Sequence, residues 1–321
     1  MKALVTGNLP EKILAMLRAE HEIVVNKYDR PMPREELIDN IKDKDGLLSM
    51  VTDRIDDELM EKAPNLRIVA NCGVGYDNID VAAATARGIW VTNTPGVLTD
   101  ATADLTFALI LAAARRIIEG EARVRAGKFK SWAPFLFLGA QVTGKILGII
   151  GLGQIGKAVA RRASGFNMRI LYHDRNRVSE SEERELNATY ADLKTILSEA
   201  DFVSLHVTLT DQTRHLISAR ELDYMKPTAY LINASRGPVV DEKALVEALR
   251  TKKIAGAGLD VYENEPALTA GLADLDNVVL LPHVGSATLE TRTAMAVLAA
   301  ENLLDGLQGI TPRNCLNCVG R

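Results

Sequence analysis

The strongest constraint in this 321-residue chain is a short glycine pattern. The apolar run Ile146-Leu-Gly-Ile-Ile150 leads into Gly151-Leu-Gly153-Gln-Ile-Gly156, and a helical stretch follows from Lys157. Few folds accept such a turn. Gly151 allows a tight bend, Gly153 lets bare backbone approach a pyrophosphate, and Gly156 lets the helix lie close on the strand. The amides of Gln154 and Ile155 then stand at a helix N-terminus, where partial positive charge holds phosphate. Asp174 comes 18 residues after Gly156, behind the run Ile170-Leu-Tyr-His173, where an acid can accept from ribose hydroxyls. Strand, glycines, helix and acid in this order predict a dinucleotide site.

Lys plus Arg is 38 and Asp plus Glu is 42, a formal net charge of −4, so no overall basic field exists to hold a nucleic-acid backbone. Apolar residues make up 47% and charged residues 25%, which supports a real core and excludes disorder as the main state. The most apolar segment, Leu105 to Ala114, is flanked by Asp104 and Arg115-Arg116. It falls short of the roughly 20 residues a bilayer span requires, and the N-terminus lacks a signal-peptide pattern. A soluble, cytoplasmic protein is expected, with no membrane or nucleic-acid partner. Its three cysteines, Cys72, Cys315 and Cys318, cannot build a disulfide framework. The Cys315–Cys318 spacing lies in the last seven residues and is read as having no redox or metal role; no metal site is expected.

Short apolar runs alternate with helical patterns, the signature of βαβ units and parallel sheets. Strands are predicted at 2–6, 22–26, 46–50, 67–71 and 88–92, with helices between them at 11–18, 34–42, 56–63 and 80–86. A second series has strands at 146–151, 169–173, 202–207, 229–233, 256–260 and 278–281, and a last helix at 289–307. A long helix, Ala101 to Glu119, joins the series. It is followed by a loop-like stretch, 120–143, that carries Trp132 and the cluster Phe135-Leu-Phe-Leu138. Four large apolar residues in a row on a loop predict an arm that lies on a partner subunit.

Three predicted strands end in polar residues suited to chemistry: Asn233-Ala-Ser-Arg236-Gly237, Asp260-Val-Tyr-Glu-Asn-Glu265-Pro266, and Pro282-His283-Val-Gly-Ser286. Ligands of open α/β sheets sit at the carboxyl ends of strands. Carbonyl reduction fits these types: Arg236 binds a carboxylate and polarises the ketone, His283 protonates the nascent alkoxide, and Glu265 keeps His283 charged. Gly237 predicts close approach to a ligand. Asp174 repels a 2′-phosphate and favours NAD, whereas Arg175 and Arg177 could grip that phosphate, so NADP stays open. His21, His173 and His215 read as ordinary. Asp77 and Asp80 are expected to order a glycine loop and cap the next helix.

At these residues the chain resembles the D-2-hydroxyacid dehydrogenase family, most closely its glyoxylate/hydroxypyruvate reductase branch. The matching stretches are Asn71-Cys-Gly-Val-Gly-Tyr-Asp-Asn-Ile-Asp80, Ala103 to Leu109, the Gly151 fingerprint, Asn233 to Gly237, Gly258-Leu-Asp-Val261 with Glu265-Pro266, and His283 to Thr288. The resemblance covers nearly the whole chain and implies two doubly wound α/β domains. Residues 1–97 with 288–321 would form a flavodoxin-like substrate domain and 98–287 a Rossmann coenzyme domain, with the active site in the cleft between them. It implies that Val74 and Gly75 hold the substrate carboxylate alongside Arg236, with Ser49 and Met50 as pocket wall. It also implies that Thr102, His206, Val207, Thr213, Ala234, Ser235, Arg236, Asp260, His283, Gly285 and Ser286 line the coenzyme, and that the protein is a homodimer. Thr208 departs from the family, standing where many members have proline. Two other readings stay open: a dehydrogenase for another 2-hydroxy acid, and an NADH-sensing protein like the corepressors of this superfamily.

Overall fold

Runs such as Ala3-Leu-Val5 and Leu147-Gly-Ile-Ile150 are buried along their whole length, which is what strands covered on both faces require. In the computed structural model, which describes residues 1–28 and 30–317, they form two all-parallel sheets. Cys318, and with it the Cys315–Cys318 spacing, lies outside the described residues.

The first compact unit comprises residues 1–98 and 286–321. Its strands are β1 (Lys2–Val5), β2 (Glu22–Val25), β3 (Gly46–Met50), β4 (Ile68–Cys72) and β5 (Trp90–Thr92), in the order β2-β1-β3-β4-β5. That is the flavodoxin-like doubly wound order. The helix Leu289–Leu307 returns to this unit and lays Ala296, Ala299, Ala300, Leu303 and Leu307 on Val5, Leu48, Ile68 and Trp90. Asp80 caps the helix Val81–Ala86, accepting from the Ala83 amide at 2.8 Å.

The second unit, residues 99–285, holds β6 (Ile146–Ile150), β7 (Arg169–His173), β8 (Ala188–Tyr190), β9 (Phe202–Leu205), β10 (Tyr230–Asn233), β11 (Gly256–Leu259) and β12 (Val278–Leu280). They run β12-β11-β10-β9-β6-β7-β8, the dinucleotide-fold order extended by one strand. The chain winds one way through β7 and β8, then the other way from β9, so β6 and β9 flank the switch point where such sheets bind ligands.

Two differences from the sequence reading stand out. The long helix is broken: Thr99–Ala114 ends, Arg116 takes a left-handed φ of 53°, and a second helix runs Ile117–Arg125. Arg116 stabilises the break by pairing with Glu119 at 2.7 Å and lying 4.0 Å from the Phe137 ring centroid. Phe137 is therefore a local anchor, whereas Phe135 and Trp132 stay 87% and 79% exposed. The three-residue edge strand β8 carries too little pattern to be read and is defined by its pairing with β7. Among the described residues, no helix is long and apolar enough to cross a membrane.

Candidate active site

The fingerprint turn leaves the carboxyl end of β6. Gly151 has a φ of 96°, and a Cβ there would lie 2.7 Å from the His206 carbonyl. A Cβ on Gly156 would lie 2.2 Å from the Gly151 oxygen, so only glycine lets the helix Gln154–Ser164 sit this close. Gly153 is different: nothing lies within 4 Å of its would-be Cβ. As N-cap it gives this helix no side-chain hydrogen bond, so the amides of Gln154 and Ile155 begin an uncapped N-terminus beside open space. That is a cradle suited to pyrophosphate.

Asp174 follows β7 directly and turns back onto this loop, its Oδ2 accepting from the Leu152 amide at 2.8 Å and its Oδ1 from the Asn176 amide at 3.3 Å. The carboxylate is thereby fixed at the rim of the cradle. Arg175 is exposed. Arg177, by contrast, is held in a two-pronged pair with Glu183, both contacts 2.8 Å. Beside the turn, His206 follows β9, and its Nε2 lies 2.8 Å from the Ser204 hydroxyl. Burial pushes this imidazole down to about 4, so it is neutral near pH 7. Val207 and Thr213 follow in the same connection, where the Thr213 hydroxyl donates to the Thr208 carbonyl at 2.6 Å and closes a local turn.

Next along the sheet, the turn after β10 carries Ala234, Ser235 and Arg236, all part-buried. Asn233 organises it: its Nδ2 donates to the Arg236 carbonyl at 2.9 Å and its Oδ1 accepts from the Ser235 hydroxyl at 2.8 Å. Gly237 corrects an expectation. A Cβ there would fall 1.9 Å from the Tyr262 carbonyl, so its close neighbour is the backbone that leads to Glu265, not a ligand.

Glu265 and His283 meet. Glu265 Oε2 is 2.8 Å from His283 Nδ1, and its Oε1 accepts from the Tyr262 amide at 3.0 Å. Burial alone would raise the Glu265 carboxyl, but the hydrogen bond and charge of His283, the Tyr262 amide and nearby Arg236 hold it below the usual carboxylate range. His283 has a left-handed φ of 53°, an uncommon conformation for a residue with a side chain. Asp260, 1% exposed, braces that turn: its Oδ1 accepts from the Val284 amide at 2.8 Å and its Oδ2 from the Gly285 amide at 2.7 Å. Its carbonyl also accepts from the His283 amide at 2.9 Å. Burial pushes the Asp260 carboxyl up, against the pull of those two amides and of His283. Thr102, buried on the helix Thr99–Ala114, would lie 3.6 Å from a Cβ at Gly285, so it packs on the same turn.

In the first unit, the predicted glycine loop follows β4. Its carbonyls are engaged: Gly73 accepts from the Thr94 amide at 3.0 Å, Val74 from Asn93 Nδ2 at 2.8 Å, and Gly75 from Asn71 Nδ2 at 2.9 Å. The amides of Val74 and Gly75 donate to no acceptor among the described residues, which suits an anionic ligand. Met50 is part-buried, its amide donating to Asp53 at 2.7 Å. Ser49 departs from the expected pocket wall. It is 0% exposed and its hydroxyl donates to Asn71 at 3.3 Å, because alternation along β3 sends neighbours to opposite faces. Ser286 is part-buried and opens the segment that returns to this unit.

Sequence reasoning passed over a group of braces. His215 Nε2 is 2.7 Å from Glu263 Oε1, and Glu242, 2% exposed, accepts from the amides of Glu263 and Thr269. The one signal for it was Gly237, whose need for space marks where that backbone passes.

Residues 107–285 match the family described as D-isomer specific 2-hydroxyacid dehydrogenase, NAD binding domain. A glyoxylate reductase of Thermococcus litoralis is 52% identical over 98% of this chain and 96% of its own length. Its counterpart in Pyrococcus furiosus is 53% identical over 98% and 95%. Among solved structures, an NADPH-dependent glyoxylate/hydroxypyruvate reductase from Sinorhizobium meliloti, in complex with NADP and malonate, superposes with a TM-score of 0.88 at 36% identity, covering 98% of this chain and 96% of that one. With an NAD-binding domain of this description and full-length likeness at this level, the chain belongs to the D-isomer specific 2-hydroxyacid dehydrogenase family and is an oxidoreductase.

Proposed function

We propose that this enzyme reduces glyoxylate and similarly small 2-keto acids such as hydroxypyruvate to the D-2-hydroxy acid, acting in the cytoplasm as a homodimer with NAD preferred over NADP. The observation that carries the reading is the 2.8 Å contact between His283 Nδ1 and Glu265 Oε2 on the turns after β11 and β12, in the sheet that bears the fingerprint turn. The chain's likeness to glyoxylate reductases supports the choice of acid.

The fingerprint turn, with the amides of Gln154 and Ile155, would hold a nicotinamide coenzyme, which when reduced would supply the hydride. Arg236 binds the substrate carboxylate and draws electron density from the carbonyl oxygen. The amides of Val74 and Gly75 are further donors of the kind a carboxylate requires. With Nδ1 committed to Glu265, His283 presents Nε2, which gives its proton to the oxygen as the C–O π electrons move onto it. One keto acid, one NAD(P)H and one proton become one hydroxy acid and one NAD(P)⁺. Asp174 favours an unphosphorylated ribose, and the Glu183 pair occupies Arg177, one of two arginines that could offset that preference. Phe135 and Trp132, exposed on the arm, support the dimer.

Initial rates with glyoxylate, hydroxypyruvate and pyruvate, each with NADH and NADPH, test the reaction. Clear turnover of glyoxylate or hydroxypyruvate is expected, faster with NADH; tight NADH binding without turnover of any of the three would sink the reading. Removal of residues 135–138 is expected to lower the native mass in solution, and an unchanged mass would remove the arm from the interface.

A further inference from the structure

The segment that carries Glu265 is poorly packed. Residues 264–268 are all exposed, and Leu268 remains 39% exposed. A loop with so little buried surface does not hold a carboxylate in place by packing. Its two ends are nonetheless fixed by one side chain. Glu242 Oε1 accepts from the Glu263 amide at 3.0 Å, and Oε2 accepts from the Thr269 amide at 3.2 Å. The exchange is reciprocal, since the Glu242 amide donates to Glu263 Oε2 at 3.3 Å. The other Glu263 oxygen meets His215 Nε2 at 2.7 Å, and His215 is tied by its own amide to the Pro238 carbonyl at 2.8 Å. Glu242 opens the helix Glu242–Arg250, whose N-cap Asp241 accepts from the Ala244 amide at 3.0 Å. It therefore stands on a rigid element, six residues after Arg236.

We propose that Glu242 is a positioning residue for proton transfer: it clamps both ends of the 263–269 loop so that Glu265 faces His283 at hydrogen-bond distance. Glu242 is buried, spends both oxygens on loop amides and acts through Glu265. A carboxylate is the side chain suited to this task, because both of its oxygens accept; a glutamine keeps one acceptor and points a donor at the second amide. Asp260 and Arg236 are further charged groups that face the Glu265–His283 pair. The inference rests on the proton-donor reading of His283 given above.

The test uses E242Q in the full-length enzyme. The expected result is a kcat for glyoxylate reduction lowered about 10- to 100-fold, the range for a misplacement on the order of 1 Å. KM for NADH and its Kd, read by fluorescence titration, are expected to stay within about twofold. The alkaline limb of the kcat/KM profile, where the proton donor is lost, is expected to move to lower pH, a displacement that general loosening of the fold does not produce. In an H283N background the same change is expected to add no further loss, because the effect runs through that residue. Wild-type kcat and profile in E242Q, or a full additional loss on top of H283N, overturns the proposal. Should E242Q fail to fold, E242D keeps the charge and both acceptors but draws them back by one methylene from the Glu263 and Thr269 amides, with the same profile displacement and a smaller loss, about threefold; an unmoved profile there overturns the proposal equally. A wild-type enzyme that turns over no 2-keto acid would instead defeat the parent reading, so the two failures are distinguishable.

Discussion

At the carboxyl end of β6, the fingerprint turn is shaped by backbone against backbone: Gly156 lies on the Gly151 carbonyl, and Gly151 on that of His206. At the ends of β11 and β12, in the same sheet, the turns are shaped by carboxylates: Asp260 takes the amides of Val284 and Gly285, and Glu242 those of Glu263 and Thr269. The difference follows from what each turn presents. A phosphate is bound by amides and the field of a helix end, so side chains are in the way and glycine removes them. A proton donor is a side chain, and its angle and distance to a partner must be set from behind by groups that do not react. The comparison teaches that a gap marks the first kind of turn and a buried acid the second.

The largest effect that would break the comparison is expected from H283A. It should lower kcat by about 10²- to 10⁴-fold, with NADH Kd little changed because the fingerprint turn is built independently. Wild-type turnover would end the proton-donor role. G156V attacks the other turn. Its side chain meets the Gly151 oxygen at 2.2 Å, so we expect NADH binding weaker by about tenfold or more and a cost in stability of about 1–3 kcal/mol. Equal NADH affinity in titration would mean the turn is not the coenzyme cradle. D174S sharpens the picture at the cradle's rim, where the NADPH-to-NADH affinity ratio is expected to rise about tenfold as a charge facing the 2′-phosphate is removed.

Outside both turns' chemistry, a pH dependence of stability is expected, which leaves activity near neutral pH unchanged. His206 titrates at about 4 when folded, against 6.5 for an ordinary histidine. Between those values the unfolded chain binds more protons, so stability is complete above about pH 6.5 and declines as pH falls toward 4. The full loss corresponds to about 3 kcal/mol. H206N should flatten that slope in denaturant titrations across the window, and an unaltered slope would show that other groups carry it.

Much of this was legible because it is local. The strands 46–50 and 169–173 and the helices 11–18 and 289–307 have the bounds their patterns predict, since burial on both faces or along one stripe writes itself into successive residues. Fingerprint glycines, Asp174 and the ordered Arg236, Glu265 and His283 were visible for the same reason. The break at Arg116 was not, because the helical pattern continues across it and the break depends on Phe137 and Glu119 gathering around one guanidinium. Ser49 was misplaced as pocket wall because a resemblance gives position in the chain and not the face of a strand.

By itself, then, the sequence determined two doubly wound sheets, a dinucleotide turn and the residue types needed for hydride and proton transfer. Tertiary structure decided which buried acids hold those residues in register. Glu242 and Thr269 are 27 positions apart, and the 3.2 Å between them is set by the path of a loop around Gly237, which no period of the chain encodes. Hydrogen bonds of that reach form only after helices and strands have packed, and for that reason the supports of the site could be read only from the fold.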